Sequence, residues 1–287
     1  MAKAPVGIIG GSGLYSMKGV TIREEKRIST PFGDPSDAVM LGELDGREVA
    51  FLPRHGRGHR ILPHELNFRA NIYALKTLGV TQIISVSAVG SMREEIRPGD
   101  LVMVDQFIDR TKARIDTFFG GGIVAHVAFA DPVCPILRER ATEAARSEGC
   151  RVHNKGTYVC IEGPMFSSRA ESMMYRSWGV NVVGMTNYQE AKLAREAEIC
   201  YATIALVTDY DCWRIEDKHV DVAMIIKTLG ENVEKAQAVI RRMLSTLHEY
   251  PDCACRNALR DAIMTDRSLI PAERKKELEP IIGRYVR

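Results

Sequence analysis

Apolar runs rich in β-branched residues alternate with stretches of helical period along most of the chain, and this alternation constrains the fold more than any other feature. The apolar runs occupy residues 6–9, 49–52, 82–89, 101–104, 157–161, 180–185 and 201–207. The helical stretches occupy residues 63–79, 132–149, 168–179, 190–198 and about 222–247. Strands that alternate with helices predict an α/β fold in which helices cover both faces of a central sheet.

The composition becomes polar near the end of the chain, where two short helical patterns follow Pro251 and Pro271. A segment this short buries too little apolar surface to be stable alone. We therefore predict a main domain over residues 1–248 and a helical C-terminal extension over residues 249–287.

The bulk composition excludes several classes of partner. The 39 basic and 37 acidic residues are spread along the chain without a basic stripe, so no nucleic-acid partner is expected. No apolar run approaches the roughly 20 residues that a membrane helix needs. The start, MAKAPVGIIGGSG, also lacks the long apolar region of a signal peptide. We expect a cytoplasmic protein without a membrane partner.

The seven cysteines include no CxxC pair, which argues against both a disulfide framework and a zinc ribbon. Most are expected to be buried, reduced core residues, and no metal is expected. Cys253 and Cys255 form an isolated CxC in a polar segment, for which a redox role stays open.

Polar or flexible residues follow the first two of these strands. GIIGGSGLY places three glycines and Ser12 after the first strand, where bare amides and a hydroxyl can approach an anion. It matches neither a dinucleotide fingerprint nor a nucleotide-triphosphate loop, and a tight turn is the alternative. PRHGRGHR follows the second strand with five potential cations: Arg54, His55, Arg57, His59 and Arg60. This favours an anion clamp in which Arg54 makes forked contacts, with a solvated basic loop as the alternative.

Three later strands also end in candidate site residues. Ser87 and Ala88 are small residues at the end of one strand, where a nucleoside-sized ligand can lie against the backbone. Met185 and Thr186 offer a thioether and a hydroxyl, although a core methionine and a helix-capping threonine explain them equally well. Open α/β sheets bind ligands beyond the carboxyl ends of their strands, so we expect these regions to converge with the first two.

Two carboxylates stand at the end of a buried strand in VTDYDCW, namely Asp209 and Asp211. A charge at such a position requires a partner or a function. Phe166, in EGPMFSSRAES, is an aromatic side chain able to stack on a ring. A helix is expected to start after it at Ser167 or Ser168, and these serines are expected to serve as helix caps.

The motifs GIIGGSG, STPFGDPSDA, RHGRGH, IRPGDLVMVDQFIDRT, GTYVCIEGPMFSSRAES and TDYDCW together resemble the 5'-methylthioadenosine phosphorylase family, of the trimeric purine nucleoside phosphorylase group. The resemblance covers nearly all of residues 6–247. It implies a nucleoside phosphorylase fold with a mixed central sheet, and it makes residues 1–248 the catalytic domain. The implied reaction, in purine and methionine salvage, converts methylthioadenosine to adenine and methylthioribose 1-phosphate. Inorganic phosphate is the only implied cosubstrate, with no metal or other cofactor, and the implied assembly is a homotrimer.

The resemblance also assigns site residues, motif by motif. The implied phosphate-binding residues are Ser12, Arg54, His55, Ser87, Ala88 and Thr186. The implied nucleoside-binding residues are Met185 under the ribose, Phe166 near the base, and His126 of a neighbouring subunit with Val222 and Ile226 at the 5' side.

The aspartate pair then has a chemical role. Cleavage of the glycosidic bond leaves positive character on the ribose and negative charge on the purine, so an anion must lie beside the sugar and an acid beside the base. Asp209 is expected to hold or share a proton with purine N7, with its pKa raised by burial and by the charge of Asp211. Asp211 is expected to accept from the 6-amino group. Relatives that act on 6-oxopurines carry asparagine in place of Asp209, so the pair favours adenine.

Two departures and three alternatives accompany this hypothesis. Tyr188 and Gln189 stand where relatives usually have a proline before the glutamate, so the loop closing over the base is expected to differ in rigidity. The apolar 5' pocket leaves adenosine as a second substrate. The alternatives are a broader purine nucleoside phosphorylase, a hydrolytic nucleosidase without a phosphate clamp, and a purine-sensing module without turnover.

Overall fold

The computed structural model describes residues 5–15, 17–214 and 222–286, without the side chains of residues 12, 15 and 222–227. The strands are β1 (Val6–Gly10), β2 (Val20–Lys26), β3 (Val39–Leu44), β4 (Arg47–Pro53), β5 (Gln82–Ser91), β6 (Leu101–Met103), β7 (Gln106–Arg110), β8 (Val152–His153), β9 (Thr157–Ile161), β10 (Val182–Gly184) and β11 (Cys200–Asp209). The α-helices are α1 (Ser12–Tyr15), α2 (Phe68–Thr77), α3 (Pro135–Ser147), α4 (Arg169–Ser177), α5 (Asn187–Glu196), α6 (Val222–Thr246), α7 (Ala272–Glu277) and α8 (Glu279–Ile282). Two 3₁₀ helices complete the set, η1 (Pro63–Glu65) and η2 (Ala254–Asn257).

The strands form one mixed sheet. Its main path runs in the order β2-β3-β4-β1-β5-β10-β9-β7, while β11 pairs with both β5 and β6, and β6 pairs with β8. The pairs β1–β4, β1–β5 and β5–β11 are parallel, whereas β5–β10, β6–β11 and the β2–β3–β4 meander are antiparallel. The predicted α/β fold with a mixed central sheet is confirmed.

Helices cover both faces of the sheet because neighbouring residues of the central strands point to opposite sides. Ile8 and Ile84 belong to one core cluster, which α3 and α6 cover. Ile9 and Ile83 belong to a second cluster, which α2 and α5 cover. Because helices bury both faces of the sheet, the central strands contain almost continuous apolar runs rather than an alternating pattern.

Four strands were missed by the sequence reasoning, namely β2, β3, β7 and β8. Of these, β2 lies at the edge of the sheet, and its five central residues are exposed. Its sequence, VTIREEK, is charged because an edge strand faces water. A polar edge strand lacks the apolar run by which buried strands are recognised.

The segment with Tyr188 and Gln189 lies in a helix and does not form the loop expected from the sequence. Both residues belong to the first turn of α5. Gln189 is buried, its Nε2 donates to Thr111 Oγ1 at 2.9 Å, and its Oε1 accepts from Arg114 Nη1 at 3.1 Å. These two hydrogen bonds fix the first turn of α5.

The C-terminal residues 249–286 pack onto the main core. Leu259, Ile270 and Ile282 are buried in the cluster that α2 and α5 also cover. Tyr73 of α2 donates its hydroxyl to the carbonyl of Glu277 at 2.7 Å. The division at residue 248 stays a prediction. Among the described helices, none combines the length and the apolar character that a membrane span requires.

Candidate functional site

The candidate site lies beside the second half of β5, where the neighbouring strand on one edge changes. β1 pairs with β5 as far as Ser85, and β10 pairs with it from Gly90 onward. Residues 86–89 pair with β11 on the opposite edge. No described strand pairs with residues 86–89 on the first edge, and Ala88 is exposed there although the preceding six residues of β5 are buried. The sheet therefore leaves backbone accessible at its centre.

Arg54 follows β4 directly and lies at one end of this gap. Its backbone N–H donates to the carbonyl of Gly10 at 3.0 Å, which places it beside the glycine loop. Its Nη1 donates to the carbonyl of Val86 at 2.8 Å, and its Nη2 donates to Ser85 Oγ at 2.6 Å. Nε and Nη2 both donate to the carboxylate of Glu190, at 2.5 and 3.2 Å. Arg54 therefore joins three strands to α5.

Glu190 is a site residue to which the sequence reasoning gave no role. It is buried in α5 and also accepts hydrogen bonds from Ser85 Oγ at 2.7 Å and from the Tyr201 hydroxyl at 3.0 Å. Burial by itself lowers the pKa of Arg54, but the Glu190 carboxylate raises that pKa above its usual value. The forked edge of Arg54 thus faces Glu190 and not a ligand, contrary to the expectation. Nη1 is the nitrogen that faces the gap.

His55 is neutral at pH 7, which corrects the count of five cations. Burial and the neighbouring charge of Arg54 lower the pKa of His55 to about 4. Its Nδ1 lies 2.8 Å from the carbonyl of Ile61. A carbonyl only accepts, so Nδ1 carries the proton and Nε2 is a lone-pair acceptor. The ring stacks on His59 at a centroid distance of 4.3 Å.

The other cations of this segment are partly neutralised by carboxylates. Arg57 pairs with Asp37 at 3.2 Å and with Glu25 at 3.0 Å. Arg60 donates its Nε to the carbonyl of Arg57 at 2.9 Å. The segment is therefore a hydrogen-bonded loop in which Arg54 and His55 are turned inward and the remaining basic residues outward.

Ser87 and the segment that begins with Thr186 meet at the gap. The Ser87 hydroxyl donates to Asn187 Oδ1 at 2.5 Å, which connects β5 to the first residue of α5. Thr186 is the buried N-cap residue of α5, as the alternative interpretation required. Its side chain nevertheless makes no capping hydrogen bond. The hydroxyl of Thr186 is consequently available to a ligand.

The five strand-end regions converge, but not by one rule. β1, β4, β5 and β11 are parallel, so their carboxyl ends meet at one edge as expected. β10 runs antiparallel to β5, so the single topological rule expected for all five regions does not account for Thr186. β10 starts beside Ser91 and returns along β5, which delivers Thr186 to the gap from the opposite direction.

Asp209 ends β11 just after a β-bulge at the other end of the gap. Val207 pairs with Val89 and Asp209 pairs with Gly90, so Thr208 is an extra residue that turns the strand. A Cβ built on Gly90 would lie 3.0 Å from Asp209 Oδ1. Glycine at this position leaves the space that the carboxylate occupies.

The two aspartates are nearly buried, with exposed fractions of 9% for Asp209 and 7% for Asp211. Burial raises the pKa of Asp209, and hydrogen bonds from the Thr208 hydroxyl and the Asp211 N–H, both at 2.7 Å, partly offset that rise. Burial also raises the pKa of Asp211, and the charge of Asp209 adds to it. The expectation that the charge of Asp211 raises the pKa of Asp209 is therefore corrected, since burial is the cause.

Trp213 fixes the described part of the loop that carries Asp211. Trp213 donates its indole N–H to the carbonyl of Ser91 at 2.7 Å, and the Arg176 guanidinium lies 3.5 Å from the centroid of its ring. Asp211 adopts a positive φ of 51°, which aspartate tolerates better than most residues. Trp213 thus holds in place the turn in which Asp211 adopts its positive φ.

The remaining predicted site residues are less constrained. Met185 is half-buried, and a Cβ built on Gly163 would lie 2.6 Å from its sulfur, so the two are in close contact. Phe166 is 56% exposed. His126 is exposed, and its backbone N–H donates to the carbonyl of Ala262 at 2.9 Å. The side chains of Ser12, Val222 and Ile226 lie outside the described ones.

The gap has a candidate anion site at one end and a candidate acid at the other. Arg54 Nη1 and the Thr186 hydroxyl can donate to an oxyanion and His55 Nε2 can accept from its protonated oxygen, while Asp209 can hold a proton at the far end. Such a site suits cleavage of a bond when an anion attacks one fragment and the other fragment leaves with negative charge.

The comparisons with known proteins agree in family and in fold. A family model described as the phosphorylase superfamily matches residues 5–245. The S-methyl-5'-thioadenosine phosphorylase of Geobacter sulfurreducens is 58% identical over 282 residues, which covers 98% of this chain and 99% of the relative.

Solved structures are similar over the same length. A methylthioadenosine phosphorylase from an antarctic soil metagenomic library has a TM-score of 0.93 at 49% identity, covering 98% of this chain and 99% of the other. The Schistosoma mansoni enzyme in complex with adenine has a TM-score of 0.87 at 36% identity, covering 91% and 99%. A variant of that enzyme is described as an adenosine/methylthioadenosine phosphorylase.

Proposed function

Since the chain belongs to the S-methyl-5'-thioadenosine phosphorylases of the phosphorylase superfamily, we propose that it cleaves 5'-methylthioadenosine with phosphate to adenine and 5-methylthioribose 1-phosphate. The observation that carries the proposal is the gap along residues 86–89 of β5, with Arg54 at one end and Asp209 at the other. The site thereby separates an anion from an acid, as phosphorolysis of a nucleoside requires.

Phosphate binds at the Arg54 end in this proposal. Arg54 Nη1 and the hydroxyls of Ser12 and Thr186 donate to its oxygens, and Ser87 and the backbone at Ala88 border it. His55 is neutral, so its Nε2 accepts from a protonated phosphate oxygen. The bound anion attacks the anomeric carbon and stabilises the positive character that develops on the ribose.

The purine leaves from the Asp209 end. The raised pKa of Asp209 allows the carboxyl to donate to purine N7 as negative charge develops on the base. Asp211 accepts from the 6-amino group, which selects adenine over a 6-oxopurine because the oxo group offers no donor.

The other predicted site residues contact the ribose, the base and the 5' group in this proposal. Met185 lies under the ribose and Phe166 packs near the base. A homotrimer brings His126 of a second copy to the 5' side, where Val222 and Ile226 receive the methylthio group. We propose that the enzyme acts in purine and methionine salvage in the cytoplasm and that adenosine is a second substrate.

The test follows free base released from methylthioadenosine, adenosine and inosine, each with and without phosphate. We expect release of adenine that depends on phosphate and is fastest from methylthioadenosine. Release without phosphate would make the protein a nucleosidase, preference for inosine would make it a broader phosphorylase, and binding without release would make it a sensor.

A further inference from the structure

Four of the seven cysteines converge on one buried point, away from the candidate active site. Their Sγ atoms all lie within 4.8 Å of one another, and the Cys134 and Cys253 sulfurs are 3.7 Å apart. None of the four is more than 7% exposed; they are Cys134, Cys200, Cys253 and Cys255. Cysteines that only fill space in a core do not require four sulfur atoms to surround a common centre.

The four sulfurs come from three separate parts of the chain. Cys134 is the N-cap residue of α3, Cys200 is the first residue of β11, and η2 with its N-cap supplies Cys253 and Cys255. The backbone fixes each part. Cys134 N–H donates to Tyr201 at 2.8 Å, and Cys200 N–H donates to Thr81 at 3.0 Å. The cluster is therefore built by the tertiary fold and not by one flexible loop.

We propose that these four cysteines bind one tetrahedral divalent cation, and that Zn²⁺ is the ion whose geometry they match. A Zn–S bond of about 2.3 Å places the corners of a tetrahedron about 3.8 Å apart. The Cys134–Cys253 separation already equals that edge within a tenth of an ångström, and a small contraction brings in the rest. Disulfides would instead require the sulfurs to separate into pairs about 2 Å apart.

The surroundings can support the charge of such a centre. Four thiols that bind one divalent cation release four protons to solvent, which leaves a net charge of −2 on the site. Arg195 Nη2 lies 3.9 Å from Cys255 Sγ and offsets part of that charge. A cation beside a thiolate is the kind of neighbour that supports metal-binding sulfurs.

The position of the cluster makes the metal structural. Cys200 starts β11 and Asp209 ends it, and a strand of ten residues spans roughly 30 Å. The ion therefore lies far from the reacting atoms and fastens the polar C-terminal segment to α3 and β11. No zinc-binding pattern is recognisable in the sequence because the ligands are spread from residue 134 to residue 255.

The test measures metal in the full-length protein, purified without chelators and with a reductant that does not bind zinc. We expect about one equivalent of zinc per chain by mass spectrometry. C253S and C255S are each expected to lose it, while C150S keeps it because Cys150 lies outside the cluster. Replacement of the ion by Co²⁺ is expected to give the intense visible absorption of a tetrahedral cobalt thiolate.

Two results would overturn the proposal. One is a wild-type protein that holds no metal as purified and takes up none from added Zn²⁺ under reducing conditions. The other is peptide mapping that finds disulfide bonds among the four cysteines in protein kept under reductant. If the serine variants fail to fold, the metal content and cobalt spectrum of the wild type decide alone. Phosphorolysis is measured separately, so failure of one proposal leaves the other intact.

Discussion

The two ends of the gap in β5 handle buried charge in opposite ways. At the end proposed to bind phosphate, here called the phosphate end, Arg54 is paired with Glu190, and hydroxyl and amide groups of Ser85, Asn187 and Tyr201 surround the pair. At the end proposed to bind the purine, here called the base end, Asp209 and Asp211 lie together and have no salt-bridge partner within the described residues. One end is neutralised by the protein, and the other holds carboxyl groups whose pKa values are raised.

This difference separates stability from catalysis. A paired buried charge is strongly destabilising when one partner is removed, because the other is left uncompensated. An unpaired buried carboxyl already costs folding free energy at neutral pH, so its removal relieves the fold while it disables the reaction. The phosphate end should therefore respond to substitution with lost stability, and the base end with lost turnover.

The largest effect is expected at Asp209. Asp209→Asn keeps the shape and one acceptor oxygen, but it cannot transfer a proton to N7. We expect turnover of methylthioadenosine to fall by roughly 10²- to 10⁴-fold. The ratio of inosine to methylthioadenosine turnover should rise, and the melting temperature should stay the same or increase. Steady-state kinetics and thermal unfolding check this.

Two companion variants sharpen the result. Asp209→Ala removes the acid without supplying an amide, so it should lose turnover without the gain toward inosine. Asp34→Asn makes the same chemical change at an exposed position and should behave like wild type. Full turnover by Asp209→Asn would remove Asp209 from the mechanism.

Glu190→Gln comes next and acts on the phosphate end. It leaves the guanidinium of Arg54 buried without its carboxylate, for a loss of roughly 3–5 kcal/mol of stability. For a chain of this size, that loss corresponds to a drop of about 10 °C in melting temperature. The KM for phosphate should rise because Arg54 is no longer held in position.

The matched control for this change is Glu143→Gln, which breaks an exposed pair with Arg140 at 2.8 Å. Exposed pairs contribute little, so its melting temperature should not move. If Glu190→Gln melts like the control, the buried pair does not stabilise this end and the contrast between the two ends fails.

His55 gives the phosphate end a pH dependence. Its pKa is about 4 in the folded protein against an ordinary value of 6.5, so the unfolded chain binds a proton in that window and the folded one does not. Stability is therefore complete above pH 6.5 and falls as the pH drops toward 4, by up to about 3 kcal/mol. Urea unfolding at pH 7 and pH 5 measures the fall. His55→Asn keeps a donor for Ile61 and should lose less stability between these two pH values; an equal loss would contradict the assignment.

The sequence predicted the central strands well because strands buried on both faces contain continuous apolar runs. It predicted the positions of Arg54 and Asp209 for the same reason, since both directly follow such runs. Local pattern carries no strand direction, so the antiparallel course of β10 could not be foreseen.

Long-range partners were equally hidden from the sequence. Glu190 lies 136 residues from Arg54 and was expected only as the first residue of a helix. The sulfur cluster joins Cys134 to Cys253, 119 residues away, without a recognisable spacing. The chemistry of single residues was therefore predictable, whereas the contacts that change their charge and pKa required the tertiary fold.

The smallest effect is expected from Thr208→Val, which tunes the base end without removing its acid. The Thr208 hydroxyl lowers the pKa of Asp209 against the larger effect of burial, so its loss should raise that pKa further. The alkaline limb of the kcat profile should then move to higher pH, because Asp209 keeps its proton longer. Stability should fall by about 1 kcal/mol, since the hydroxyl also donates to Val89 at 3.2 Å.

Thr203→Val on the same strand removes a buried hydroxyl that has no partner, so it should leave the pH profile unchanged. A Thr208→Val profile that coincides with that of Thr203→Val would show that Asp209 does not set the alkaline limb.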